Sequence, residues 1–264
     1  MRADEVEQAV AWAAREGWNP GEGDARAFLA HDPGAFLMAE EGGQMLACIS
    51  AARNGASHGF IGFYIAAPGV RGQGHGLAVW QAAMARLAGR GIGLDGVVAQ
   101  QASYRRSGFE LAWNNARYVG AVTPSAALPA ASAVPFGDLV AYDAACFGVA
   151  RPEFLREWIG VPGRVALVLP GVCGFAVGRR GVEGTRVGPL FADDAAGAAR
   201  LLGGLAAALP GPMVLDVPEA NVACVALARG AGMQKTFETA RMYVGAPPAM
   251  AMEKVFGVTS LEFG

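Results

Sequence analysis

The sequence is poor in charge and in the residues that metal, redox or nucleic-acid chemistry requires. Charged side chains make up 17% of its 264 residues, and 23 acids face 21 bases. No basic excess exists to draw a nucleic-acid backbone, so nucleic acid is not expected as a partner. There are three histidines and four cysteines, and Cys48, Cys146, Cys173 and Cys224 stand far apart with no C-x-x-C spacing. That pattern gives neither a zinc site nor a disulfide framework; reduced, buried thiols and no bound metal are expected. No uninterrupted apolar run approaches the ~18 residues of a membrane span. The opening MRADEVEQAVAWAAREGW carries acids where a secretory leader carries bases. The reading is a cytoplasmic protein without membrane contact.

The length suits two small α/β domains better than one. Residues 121–133, AVTPSAALPAASA, are uncharged, contain Pro124 and Pro129, and separate two halves that close alike. The first half ends in LDGVVAQ, a helical stretch, Gly-Phe and NARYVG; the second ends in LDVPEAN, a helical stretch, Gly-Met and TARMYVG. Upstream, FLAHDPGAFLMAEEGGQMLACISA is echoed by FLREWIGVPGRVALVLPGVCGFAVGR, each a helix end followed by a two-stranded hairpin. An internal duplication follows, with domains at 1–120 and 134–264 joined by a linker at 121–133.

Residues 60–77, FIGFYIAAPGVRGQGHGL, run an aromatic and β-branched strand into Arg71-Gly72-Gln73-Gly74-His75-Gly76. Leu77, Trp80, Met84 and Leu87 then recur at helical spacing, which starts a helix near Gly74. Its first N–H groups have no intrahelical partner and the helix dipole adds positive charge at the same end. With glycines admitting close approach, the junction is a pyrophosphate cradle. The spacing is not the dinucleotide G-x-G-x-x-G with its distal acid, and the Gly-Lys-Ser/Thr of a nucleotide P-loop is absent. A methyltransferase loop would follow the first strand and carry an acid where Val70 stands.

Arg71-x-x-Gly74-x-Gly76, preceded by a strand and Pro68, resembles the acyl-CoA loop of the GNAT N-acetyltransferases. Tyr104-Arg105-Arg106-Ser107-Gly108-Phe109 resembles the Y-x-x-x-G-F signature that follows it in that family. The resemblance covers residues 1–120. The duplication, the Trp18-Asn19-Pro20-Gly21 turn and the stretch VFGVTSLEFG extend it to the YitH-type tandem subgroup. It implies an α/β (α+β) fold class: two tandem GNAT folds, each a mixed, mostly antiparallel twisted sheet flanked by helices.

The implied activity is direct transfer of an acetyl group from acetyl-CoA (coenzyme A) to a primary amine of a small molecule, an acyltransferase of EC class 2.3.1. The implied cofactor contacts are a strand bulge at Tyr64, Ile65 and Ala66, the cradle of Val70, Arg71, Gly72, Gln73, Gly74, His75, Gly76 and Leu77, and the amide of Gln100. His75 contributes its backbone N–H only. Tyr104 is the implied general acid: an ordinary phenol is protonated at neutral pH and can donate to the departing thiolate. The alternative is a non-catalytic acyl-CoA-binding sensor in which Tyr104 is packing.

In the second half RVGPLFADDAAGAARLLGGLAAAL puts Asp193 and Asp194 at the cradle position, where carboxylates repel a pyrophosphate and cap a helix instead. Ala228 stands where Tyr104 stands in the first half. The second half is therefore expected to be structural and acceptor-binding. For the general base, Asp95 is read as structural, at the sheet end opposite the thioester, and Glu40 and Glu41 as solvated turn residues. That leaves Glu219 or Glu262, or a water relay, with Arg241 and Tyr243 as further candidates to line the acceptor cleft. Monomer and homodimer both fit.

Overall fold

The computed structural model describes all 264 residues. The first half runs α1 (Ala3–Arg15), α2 (Asp24–His31), β1 (Phe36–Glu41), β2 (Gln44–Asn54), β3 (His58–Ala66), α3 (His75–Arg86), β4 (Gly91–Val97), α4 (Gln101–Arg106) and β5 (Glu110–Gly120). The second repeats the plan: α5 (Phe136–Phe147), α6 (Pro152–Gly160), β6 (Val165–Val168), β7 (Gly174–Arg180), β8 (Thr185–Ala192), α7 (Ala195–Ala208), β9 (Met213–Pro218), α8 (Val222–Gly230) and β10 (Gln234–Val244), followed by a short β11 (Val255–Gly257). No helix is long and apolar enough to cross a membrane. No cluster of His, Cys, Asp or Glu is placed to hold a metal ion. Cys48, Cys146 and Cys224 are buried free thiols, whereas Cys173 is half-exposed rather than buried, on the short turn before β7.

All strands join one 11-stranded sheet in the order β1-β2-β3-β4-β10-β5-β9-β8-β7-β6, with β11 on β8. Only β3–β4 and β8–β9 are parallel, so the sheet is mixed and mostly antiparallel, as the resemblance implies. The order departs from two side-by-side domains. The last strands have changed places: β10 lies between β4 and β5, and β5 pairs with β9. Each half thus completes its sheet with the other half's closing strand.

Buried charge marks the exchange. On adjacent strands, Arg241 of β10 pairs with Asp95 of β4 at 2.9 and 2.6 Å, and Arg117 of β5 pairs with Asp216 of β9 at 2.7 and 3.0 Å. The arginines hold matching places in ARYVG and ARMYVG and the aspartates in LDGV and LDVP, so each bidentate pair joins one copy to the other. Between the halves α2 packs on α6, and Phe28 stacks on Phe263 at 4.3 Å and on Phe154 at 6.4 Å within the largest apolar cluster. Residues 121–130 are packed down as well. Ser125 N–H donates to the Gly203 carbonyl on α7, and Val168 N–H to the Pro129 carbonyl. The segment read as a linker is held against the second half.

Two local departures have simple causes. β4 ends at Val97, inside the LDGVVAQ stretch, because Val98–Gln100 turn over as a single 3-10 turn into α4. In α3 the buried face is Val79, Trp80, Ala83 and Leu87, while Leu77 is 58% exposed because it faces the opening described next.

Candidate functional site

Strands β3 and β4 pair only over His58–Ile61 and Gly91–Leu94, then diverge. The register between β2 and β3 shifts after Ser50↔Gly62 and resumes at Cys48↔Ile65, which leaves Phe63 and Tyr64 opposite the single Ile49. Phe63 takes φ +49 at this bulge. The bulge is therefore at Phe63–Tyr64, earlier than the Tyr64–Ala66 expected, because Ile65 and Ala66 already pair again with β2.

The fork opens a cavity of about 640 Å³ floored by β3, β4 and β10 and walled by the start of α3, by α4, by the Glu16–Trp18 turn and by Leu261 and Glu262. Gly74 forms the N-cap of α3 at φ +93, a conformation open to glycine at no steric cost, and turns the free amides of the first turn toward it. Tyr64, Ile65, Ala66, Val70, Arg71, Gly72, Gly74, Gly76, Leu77, Gln100 and Tyr104 all line the cavity. Gln73 and His75 do not. The Gln73 amide folds back onto the Gly69 carbonyl at 3.2 Å, and His75 stands at the first position of α3. The Arg71 guanidinium is also engaged, with Nε donating to the Ala66 carbonyl at 3.0 Å and Nη2 to Glu16. In this arrangement its side chain braces the cradle rather than reaching into it.

Tyr104 stacks beside Trp80 with ring centroids 5.8 Å apart. Burial, with the nearby Tyr64 hydroxyl adding to it, pushes its phenol up to about 12, so it carries its proton throughout the neutral range.

Of the residues expected from the second half, only Glu262 reaches the cavity. Glu219 is ion-paired with Lys235 at 2.9 Å away from it. Arg241 is held by Asp95, and Tyr243 lies beside Arg241 with the hydroxyl accepting from Nη1 at 3.3 Å. Arg241 sits beside Asp95 with its guanidinium 4.9 Å from the Phe60 ring centre, and it is Phe237 and Thr239 further along β10, with Arg117 of β5, that line the cavity instead. Asp95 stands at the fork itself, not at the opposite sheet end. Its carboxylate is taken by Arg241 and by the Asn115 amide at 2.7 Å, which keeps its role structural.

Glu262 is 4% exposed and accepts from Ser260 Oγ at 2.5 Å. The segment carrying it crosses so close to β3 that a Cβ on Gly62 would lie 1.8 Å from the Glu262 carbonyl oxygen. Glu16, Trp18, Trp80, Arg117, Phe237 and Thr239 also line the cavity without having been singled out from sequence. For Arg117 the signal is present in the repeated Ala-Arg motif and for Trp18 in the Trp18-Asn19-Pro20-Gly21 turn that carries the tandem resemblance; for Phe237 there is none, since the exchanged β10 brings it in.

A buried charge cluster lies behind the cavity wall at Arg117 and Glu262. Asp216 accepts from Arg117 and also from Arg186 Nη2 at 2.7 Å. Burial would raise its pKa, but the two guanidiniums outweigh it and hold Asp216 at about 2. Burial and the charge of Arg117 lower Arg186 to about 10 despite Asp216 and Glu262, and the negative charge of Glu262 favours the charged form of both arginines.

The corresponding fork of the second half is filled by the chain itself. β8 and β9 pair only over Thr185–Val187 and Met213–Leu215, and β11 enters where they part. Val258 N–H donates to the Asp216 carbonyl at 2.9 Å, and the Asn221 amide donates to the carbonyls of Met252, Glu253 and Val255. Asp194 caps α7, its Oδ1 accepting from Gly197 N–H at 2.7 Å, and Asp193 meets the Tyr142 hydroxyl and Lys254. Asp194 is thus spent on the helix cap, as the sequence suggests, whereas Asp193 is held by the distant Tyr142 and Lys254.

Comparison with known proteins agrees with this architecture. Residues 3–109 match the acetyltransferase (GNAT) family, and residues 139–257 match a second acetyltransferase (GNAT) domain. The holothin acyltransferase of Pseudoalteromonas sp. (strain SANK 73390) is 29% identical over 262 residues, covering 96% of this chain and 89% of that protein. A crystallised protein of Pyrococcus horikoshii assigned as an acetyltransferase shares the fold over 100% of this chain and 94% of its own, with TM-score 0.86 and 18% identity. A tandem GNAT protein of the clavulanic acid biosynthesis pathway aligns over 94% and 98% of the two chains, with TM-score 0.61 and 16% identity. Two matched domains, one open fork with its cradle and a second fork closed by the chain itself make this protein an acyltransferase of the GNAT superfamily, in the tandem two-domain arrangement.

Proposed function

We propose that the protein transfers an acetyl group from acetyl-CoA to a primary amine of a small molecule, at one site per chain. In this reading residues 1–120 hold the donor, residues 121–133 connect, and residues 134–264 shape the acceptor side. The observation that carries it is the contrast between the forks: one is open above a glycine-capped helix start, the other is filled by β11 and fronted by Asp193 and Asp194.

The first-turn amides of α3 and the cradle glycines suit the pyrophosphate of a CoA donor, which supplies the activated acyl group as a thioester. The chain's own residues then handle protons. Glu262 takes the proton that leaves the amine as the nitrogen–carbon bond forms. Tyr104 gives its proton to sulfur as the carbon–sulfur bond breaks, releasing an amide and free CoA thiol, and solvent returns the proton from Glu262 to Tyr104.

Release of free thiol from acetyl-CoA on adding an amine tests the activity directly, and holothin, which the curated relative is named for acylating, is one acceptor to include. Binding of acetyl-CoA without thiol release for any amine would leave only the sensor reading. Calorimetry should give one acetyl-CoA per chain; two equivalent sites would contradict the filled second fork. Gly74→Glu places a side chain at φ +93 and a negative charge in the cradle, and should abolish donor binding while the circular dichroism spectrum is retained. Glu262→Gln should lower turnover ~10²–10⁴-fold, the usual cost of losing a general base, with donor affinity unchanged. Full activity in that variant would leave deprotonation to water.

A further inference from the structure

We propose that the acceptor is a compact, largely apolar primary amine bearing at most one positive charge, and that Trp18 and Phe237 select it. The proposal rests on the N-acyltransferase reading above and concerns the same cavity.

No carboxylate around the acceptor side is left without a cation. Glu16 is paired with Arg71, and Asp95 with Arg241. The remaining group joins Arg117, Arg186, Asp216 and Glu262, in which Asp216 bonds both arginines and Glu262 supplies a second negative charge, while Arg179 behind it shares Asp24 with Arg164, so no negative excess is left over. Such a cavity has no net field to concentrate polycations. A second ammonium would be desolvated there with no spare carboxylate to meet it. An acceptor carboxylate fares no better. Arg117 already donates through Nε and Nη2 to Asp216 and through Nη1 to the Trp18 carbonyl at 2.7 Å, and Arg71 donates to Glu16 and Ala66.

What the cavity does offer is ring surface. Trp18 and Phe237 are each partly buried and come from opposite halves, one from the turn after α1 and the other from the exchanged β10. The same arginines fix both. The Trp18 carbonyl accepts from Arg117 and from Arg186 at 3.4 Å, and the Arg117 guanidinium lies 5.6 Å from the Phe237 ring centre. A flat or aliphatic body gains contact area against these rings without stranding a polar group. The cavity, about 640 Å³, must also admit the arm of the donor, which limits that body to a small one.

The test measures thiol release from acetyl-CoA by the full-length protein with tryptamine, tryptophan, spermidine and kanamycin as probe amines. Tryptamine should exceed each of the others in kcat/KM by at least ~100-fold, the one to three additional uncompensated charges that they carry being the source of the difference. Phe237→Glu, which adds an uncompensated carboxylate to the wall, should raise kcat/KM for spermidine at least ~10-fold and lower that for tryptamine. Phe237→Leu keeps the wall apolar and should raise the KM for tryptamine severalfold without changing acetyl-CoA affinity, so a poorly folded glutamate variant does not decide the matter. Spermidine, kanamycin or tryptophan turned over as well as tryptamine would overturn this acceptor class and leave the acyltransferase reading standing. No thiol release with any amine, in protein that binds acetyl-CoA, would overturn the reading beneath it.

Discussion

Tyr104→Phe is expected to lower turnover by ~10²–10⁴-fold while leaving acetyl-CoA affinity within about twofold of the parent. The substitution removes one hydroxyl and keeps the ring against Trp80, so packing at the fork is preserved. The size of the effect follows from the departing group: a CoA thiolate that leaves without a proton must be stabilised by the protein alone. The state of the phenol makes it suitable. Burial holds it at about 12, so the protonated form is full across the neutral range and no alkaline fall in rate below that region originates from Tyr104. The parent pH–rate profile should therefore rise toward a plateau set by the acceptor amine. Stopped-flow thiol detection on both proteins, with calorimetry for donor affinity, measures the split. Unchanged turnover would reduce Tyr104 to a ring packed on Trp80.

The parts of this site legible in the sequence are those encoded by short-range pattern. A glycine-rich junction between a strand and an apolar periodic run can be read directly as a helix N-terminus with free amides, and Gly74 caps α3 as that reading requires. Asp194 is legible for the same reason, since an acid ahead of an Ala/Leu helix has one ordinary use. The strand exchange is invisible to such reasoning. ARYVG and ARMYVG offer the same strand pattern and the same arginine, and LDGV and LDVP the same aspartate, so local sequence is equally satisfied by either partner. Choosing between them depends on which pairing closes the whole sheet. Arg241 is legible as a strand arginine but not as the partner of Asp95, so the ion pair that occupies it goes unread. The position of the bulge escapes the sequence for a different reason: Gly62 and the Ala-Ala-Pro exit mark breaks by composition, whereas the residue that takes positive φ is Phe63, held there by tertiary packing in the aromatic cluster.

The exchange also makes stability depend on charges that the two halves share, and Asp216→Ala should expose this. Its removal leaves Arg117 and Arg186, at most 5% exposed, facing each other with only Glu262 to offset them. Breaking a buried pair in this way costs about 3–5 kcal/mol, read as a fall in the urea midpoint at neutral pH. The pH dependence has a definite sign. Asp216 is held at about 2, below the ordinary carboxylate value, so its contribution is complete above that ordinary value and is lost as pH falls through about 2. The parent should lose stability over that acid interval, and Asp216→Ala should lose correspondingly less of what it has left. Adding Arg186→Met to Asp216→Ala removes one of the two uncompensated cations and lets Glu262 balance Arg117. At least half of the lost stability should return, because the penalty comes from unmatched charge rather than from a missing contact. A double variant as unstable as the sum of its parts would show that the four groups do not act as one neutral set. The sheet would then owe its integrity at this seam to the β5–β9 and β10–β4 ladders alone.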